Sequence, residues 1–447
     1  MQAGALGLTG LSLPELLAAR ETSAAAGNHG SFGRAKRCVM LFLTGGVPQH
    51  DSWDPKPEAP ANVRGEFSPI ATSVPGVQVS ELFPQFARRV ERVTLLRSVS
   101  HDDTVHTSAG YTMLTGRRHP QANAKTATDI KPQPTDHPHV GSILSLVRPQ
   151  QGPPTFVSLP EIIRDDAVNE FPGLTGGFLG ERHSPLLIEG SSKTNQFLPP
   201  PLALAEGVSA ARLKERRRLL TEFDQRLRGE LPSSRAVTVD SQRERVFSLM
   251  SSSAVQTAFD LNRESTATRD RYGSHLFGQG CLMARRLLEA GVALVTVYWH
   301  YEGPRDSPVW DTHANNFTHM RSRLAPPTDV AMSALLDDLA ERGMLDDTLF
   351  LAMGEFGRTP KINANAGRDH WPQVATLVLA GAGVRAGTTY GASDRLGAYP
   401  ADRAVAPADL TATILHLLGV DPELDLRDQA GRIHRACDGS PVFGLLG

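Results

Sequence analysis

Carboxylates and imidazoles occur together at a few places in the chain, each just after an apolar run. Val39–Leu43 is followed by Thr44-Gly45-Gly46-Val47-Pro48-Gln49-His50-Asp51. Val292–Trp299 is followed by His300 and then by Trp310-Asp311-Thr312-His313. Thr348–Met353 is followed by Gly354-Glu355-Phe356-Gly357-Arg358-Thr359-Pro360 and, soon after, by Gly367-Arg368-Asp369-His370-Trp371. A further His-rich loop runs from Ser100 through His101, Asp102, Asp103, Thr104, Val105 and His106 to Thr107 and Ser108. Neutral imidazole combined with carboxylate suits Zn, Mn or Fe, whereas Mg and Ca prefer oxygen alone. Asp311 and His313 stand two apart, so on an extended segment both point to one side and could grip one ion. Asp369 and His370 are adjacent and would point apart on a strand. Either only one of them binds a given ion, or they serve two. Two ions about 4 Å apart can clamp the attacking and leaving oxygens of a phosphoryl or sulfuryl transfer.

The candidate metal ligands are therefore His50, Asp51, Asp311, His313, Glu355, Asp369 and His370. Each has a plainer reading. Asp311 and His313 could be a hydrogen-bonded loop pair, Asp51 a loop cap, and Asp369-His370 a turn. Glu355 could pair with Arg358. Arg358 could instead stabilise an anionic transition state by bidentate hydrogen bonding. His101 and His106 are candidates for the site, while His119, His137 and His139, in a Pro-rich stretch, are expected to be solvated.

The elements that must position these groups follow from the apolar pattern. Cys38–Leu43 is a continuous apolar run, typical of a strand buried on both faces. Val93–Leu96 is a second short strand candidate. Helix-spaced segments at Gly278–Ala290 and Asp329–Gly343 alternate with strand-like runs at Val292–Trp299 and Thr348–Met353. The strand-like run Val374–Ala380 and the helical Pro407–Gly419 continue the pattern. Alternating helices and apolar strands predict an α/β fold, a doubly wound, mostly parallel sheet with helices on both faces. In such sheets ligands bind at the carboxyl ends of the strands, where the polar clusters fall. Segments 208–230 and 240–263 are helical in character, so a helical insertion is expected at about 200–270.

Composition narrows the function classes. Forty-six Lys and Arg against 48 Asp and Glu give a net charge of −2, which argues against nucleic-acid binding through bulk positive charge. The three cysteines, Cys38, Cys281 and Cys437, are too few and too widely spaced for a disulfide framework or a Cys-type zinc site. Residues 3–19 are apolar and small-residue-rich, and Ala24-Ala25-Ala26 follows, as in the hydrophobic region and cleavage zone of an export signal. No Lys or Arg precedes Arg20. The segment is thus either a twin-arginine-type signal with a truncated start or a short N-terminal helix or tail. Residues 1–33 are expected to be export-signal remnant and linker, and 34–447 a single domain. No apolar run of about 18 residues follows the first thirty positions, so no transmembrane segment is expected in the mature chain.

These motifs resemble a known family. The order Gly45-Gly46-x-x-x-His50-Asp51, the loop and helix His106–Gly116, and Tyr272-Gly273 with Phe277–Gly291 all take part. So do Asp311-Thr312-His313, Glu355-Phe356-Gly357-Arg358-Thr359-Pro360 and Gly367–Trp371. Together they are similar to the bacterial domain-of-unknown-function fifteen-oh-one family over about residues 34–445. That family is placed in the alkaline phosphatase/sulfatase superfamily. The resemblance implies an alkaline-phosphatase-like fold and metal-assisted hydrolysis or transfer at phosphate or sulfate esters, small-molecule or glycan. It puts Glu355 where the superfamily has a metal-binding Asp, with Phe356 in place of the following His. It makes His370 a metal ligand, and makes Asp311 and His313 the counterpart of an Asp-x-x-x-His pair with shorter spacing. Ala408–Gly419 resembles a late superfamily helix.

Two departures stand out. The superfamily's first Asp sits at the end of strand one; here that place holds Thr44-Gly45, and Asp51 comes later. The sulfatase nucleophile position falls on His106, with the hydroxyls of Thr107 and Ser108 beside it. A hydroxyl next to a metal can ionise and attack, and a His can act as base or nucleophile. The expected protein is an exported hydrolase of phosphate or sulfate esters using one or two divalent ions, Zn first, with Mn or Fe as alternatives. The other expectation is a periplasmic or surface protein that keeps the fold, and a structural metal, without turnover.

Overall fold

The computed structural model describes residues 30–122, 128–150, 152–165, 169–191, 253–299 and 309–447, with isolated positions between 194 and 222. The expected export segment up to residue 29, and the expected insertion between 200 and 252 apart from a few positions, lie outside the described residues.

Strand β1, Arg37–Phe42, is apolar from its second residue on because both of its faces are covered. Cys38, Met40 and Phe42 pack with Met113, Leu114, Ile143, Leu144, Leu410 and Ile414 on one side. Val39 and Leu41 pack with Leu282, Leu287, Met332 and Leu335 on the other. Those partners come from five helices. On the first face lie α1 (His106–Thr115), α2 (Val140–Val147) and α5 (Pro407–Leu417). On the second lie α3 (Leu276–Glu289) and α4 (Ala325–Glu341). Each large aliphatic side chain buried this way contributes about 1.5–3 kcal/mol. The α/β architecture with helices on both faces is thus the one expected from the sequence.

The sheet has eight strands. Besides β1 they are β2 (Val93–Val99), β3 (Phe156–Leu159), β4 (Leu186–Leu187) and β5 (Leu294–Tyr298). The remaining three are β6 (Thr348–Met353), β7 (Ala375–Ala380) and β8 (Thr388–Tyr390). Their order is β8-β2-β7-β6-β1-β5-β3-β4. Strand β7 runs antiparallel to both its neighbours, and the other pairings are parallel. Phe42 is in register with Met353 on one side and with Tyr298 on the other. The carboxyl ends of β5, β1 and β6 therefore lie side by side. Because β7 is reversed, its beginning joins them at the same edge.

Candidate metal centre

Each group of the centre leaves the sheet at that edge. Beyond β5, the Trp310 N–H donates to the Thr44 carbonyl at 2.8 Å, which draws Asp311 against the end of β1. Gly45, at φ 112°, sits directly under this contact, and a Cβ there would collide with the backbone of Trp310 and Asp311. Beyond β6 the chain delivers Glu355, then a short antiparallel ribbon in which Arg358 pairs with His370. The loop carrying Asp311 and His313 is stitched to the 363–370 loop by main-chain bonds. Arg368 N–H donates to Thr312, Asn315 N–H to Asn365 and Asn316 N–H to Ala366. Beyond β2, a loop leads to His106 at the first turn of α1. That helix ends on a left-handed Gly116, whose N–H returns to the Thr112 carbonyl.

Asp311 is the hub. Its Oδ1 lies 3.1 Å from His313 Nε2 and 3.1 Å from His370 Nε2, and its Oδ2 lies 3.2 Å from His106 Nε2. The two nitrogens of His313 and His370 are 2.8 Å apart. His106, Asp311 and His370 offer ligand atoms within 4.8 Å of one another, with His313 against them.

The other nitrogen of each ring is already committed. His106 Nδ1–H donates to Glu355 Oε1 at 2.6 Å. His370 Nδ1–H donates to the Thr104 carbonyl at 2.7 Å, and His313 Nδ1–H to Asp369 Oδ1 at 2.8 Å. A carbonyl or an ionised carboxylate can only accept, so each Nδ1 carries the proton and Nε2 is the ring atom turned toward Asp311. This is how metal-ligating histidines are oriented by their outer partners. Glu355 Oε2 is buried and has no hydrogen-bond partner, and His106 Nε2 has only the 3.2 Å approach of Asp311 Oδ2. Three Nε2 atoms that converge on one carboxylate, and that can give up their protons to a metal, fit a divalent cation. The mixed nitrogen and oxygen set matches Zn, Mn or Fe.

The charges are strongly coupled to this geometry. Burial works against ionising Asp311, but the Arg358 guanidinium and the contacts from His106, His313 and His370 outweigh it and hold the carboxyl well below its usual range. Burial also opposes charge on His106, yet its contacts with Asp311 and Glu355 prevail and push it up to about 10. His370 is lowered, chiefly by burial. His313 is raised, first by its bond to Asp311. Side-chain exposure runs from 0% at Glu355 and Arg358 to 45% at His313 and 52% at Asp369, so the centre opens to solvent on the His313 side.

A family model described as protein of unknown function (DUF1501) matches residues 35–443. The chain belongs to this family. No curated protein matches the DUF1501 chain at a significant level. Among solved structures it is similar to Ps i-CgsB, at 11% identity and a TM-score of 0.43, covering 92% of this chain and 76% of that one. It is similar to the phosphonate monoester hydrolase SpPMH from Silicibacter pomeroyi, at 12% identity and a TM-score of 0.42, with the same coverages of 92% and 76%. A protein in the alkaline phosphatase superfamily from Vibrio parahaemolyticus is similar at 13% identity and a TM-score of 0.36, covering 87% of this chain and 67% of that one.

In the DUF1501 chain the sequence candidates divide by location. Asp311, His313 and His370 come together, with Asp369 behind His313 and Glu355 behind His106. Asp51 is fully buried and pairs with Arg368, Nε to Oδ2 at 2.7 Å, while Asn316 also donates to it at 2.9 Å. His50 Nε2–H donates to the Leu396 carbonyl at 2.7 Å. Arg358 pairs with Asp311 rather than with Glu355. Thr107 Oγ1 is held by Asp129 and accepts from Ile130 N–H, so it is committed to the 129–130 loop. Ser108 is buried in the first turn of α1. His119, His137 and His139 are buried, not solvated, because Tyr111, Phe178 and Phe156 pack against their rings. Thr104 escaped the sequence analysis as a positioning group, whereas His101 was a candidate for the site. His101 Nε2–H donates to the Glu355 carbonyl at 2.7 Å and fixes the main chain there. A main-chain acceptor such as Thr104 carries no side-chain signal to find.

Proposed function

We propose that the protein is an exported, metal-dependent hydrolase of phosphate or sulfate esters, small-molecule or glycan. The observation that carries this reading is the convergence of His106, His313 and His370 Nε2 on Asp311, each ring backed at Nδ1 by an acceptor. The motif resemblance to the alkaline phosphatase/sulfatase superfamily supports the reaction class, and the apolar N-terminal segment supports export. When bound, a divalent ion supplies positive charge and Lewis acidity to an ester oxygen. Around it, His313 and Asp369 line the exposed side, where an ester would enter. The N-terminal end of α1, which begins at His106, adds the positive end of a helix dipole toward an anion. Glu355, buried behind His106, and Asp369 orient two of the rings. With Thr107 committed to Asp129 and His106 to two carboxylates, Ser108 is the remaining side-chain candidate for attack beside water.

Metal analysis of the purified protein, followed by a panel of phosphate and sulfate esters, tests the reading. Bound Zn, Mn or Fe with turnover that is lost in Asp311→Asn supports it. A second reading, a non-catalytic protein with a structural metal, draws on the engagement of His106 and Thr107. It prevails if metal is bound stoichiometrically and no ester is turned over. Mapping the mature N-terminus of protein from its native cell tests export, and an intact Met1 on cytoplasmic material would refute it.

A further inference from the structure

The Arg358 guanidinium is completely buried beside Asp311. Its Nη2 donates both to Asp311 Oδ1 and to the Gly45 carbonyl. Its Nε donates to the Gly46 carbonyl at 3.2 Å and its Nη1 to the Arg368 carbonyl at 3.1 Å. Four of the five N–H groups are thus spent on protein oxygens, which leaves little to offer a substrate. The oxygens it gathers are three main-chain carbonyls and one carboxylate, at the end of β1. An oxygen set of that kind suits a hard cation, and here a permanent side-chain cation fills it.

The remaining donors, among the described residues, amount to one ion's worth. The three Nδ1 atoms are spent on Glu355, Thr104 and Asp369. Asp51 is spent on Arg368 and Asn316. Phe356 lays an apolar ring against His370 and His106, with centroids 4.6 and 5.1 Å away, and offers no ligand atom. What is left is three Nε2 atoms and Asp311, the four ligands of a single Zn-type ion. A second divalent ion about 4 Å away would have to share Asp311 with Arg358 and stand against its charge.

We infer that the centre is built for one divalent ion, with the Arg358 guanidinium as a fixed second cation on Asp311. This rests on the metal-dependent reading above and adds the nuclearity and the role of Arg358, a positioning residue that acts through Asp311. The test strips the full chain with chelator, reloads it with excess Mn²⁺, removes unbound ion and measures bound Mn per chain together with its electron paramagnetic resonance spectrum. One equivalent with an uncoupled six-line spectrum is expected. Two equivalents with exchange-coupled spectra would overturn this inference alone and leave metal dependence intact. No bound ion, with Zn²⁺ and Fe²⁺ also failing, would overturn both.

Arg358→Ala empties the oxygen set and should raise the count from one to two, with added guanidinium bringing it back to one. A count that stays at one in the folded variant overturns the fixed-cation role. If Arg358→Ala does not fold, Arg358→Lys takes its place. That variant keeps the charge and should keep one equivalent, and a rise to two in it overturns the proposal.

Discussion

An imidazole's role is decided at the nitrogen that does not face the site. Because His106 Nδ1 is held by Glu355, its Nε2 is left to Asp311, and removing the carboxylate should loosen that ring without removing a ligand atom of the imidazole. Glu355→Gln is expected to lower metal affinity about 10–100-fold, as read by competition with a chelator. Unchanged affinity would detach Glu355 from the centre. Asp51 is the contrasting case. It was legible as a candidate ligand from its type and position after β1, but not as the partner of Arg368, because the two stand far apart in sequence and nothing local couples them. Asp51→Ala leaves a fully buried guanidinium without its counter-charge. The expected cost is about 3–5 kcal/mol in denaturant unfolding, with metal content of the folded protein unchanged. Loss of metal at undiminished stability would return Asp51 to the ligand set.

The elements were legible where burial on both faces writes an unbroken apolar run. Strands β1, β5, β6 and β7 and helices α3, α4 and α5 fall where such runs and helix-spaced segments stand in the sequence. The direction of β7 was not legible, since a fully buried strand has the same composition whichever way it runs. That reversal brings the beginning of β7, and His370 just before it, to the edge where β1 and β6 end. The loops were legible as polar clusters but not as a stitched pair, because main-chain bonds such as Asn315 to Asn365 depend on no side-chain type. Gly45 is where element geometry and site meet. At φ 112°, with the Trp310–Asp311 backbone against it, it leaves no room for a methyl group. Gly45→Ala should cost more than about 1 kcal/mol. It should also weaken metal binding, because the displaced loop carries Asp311. Thermal unfolding and a metal titration on the same variant check both, and a variant that is destabilised but binds metal normally would separate the loop from the centre.

At the scale of the whole molecule, stability is tied to buried histidines that take no part in the metal centre. His50, His137 and His139 are 2%, 6% and 0% exposed. Burial pushes His50 down to about 3, and Arg368 and Lys56 add to the shift. Burial and Arg117 push His137 down to about 4, and burial alone pushes His139 down to about 3. All three are neutral in the folded chain at pH values where the unfolded chain, with His near 6.5, already binds protons. When the unfolded state binds more protons than the folded one, stability rises with pH. The stability these groups contribute is therefore fully present above about pH 6.5 and is lost as the pH falls toward 4 and then 3. At about 1.4 kcal/mol per pKa unit, each is worth on the order of 3–5 kcal/mol across that window, and three together match the whole stability of an ordinary domain, about 5–15 kcal/mol. The protein should therefore unfold on acidification before the folded-state values are reached, with a midpoint between about pH 6 and 4. His139→Phe removes one titrating group while keeping an aromatic ring against Phe156, and it should move that midpoint to lower pH. Circular dichroism followed from pH 8 to pH 3 on both proteins decides this. A wild-type chain that stays folded at pH 3, or a variant with the same midpoint, would mean that these rings reach solvent protons without unfolding.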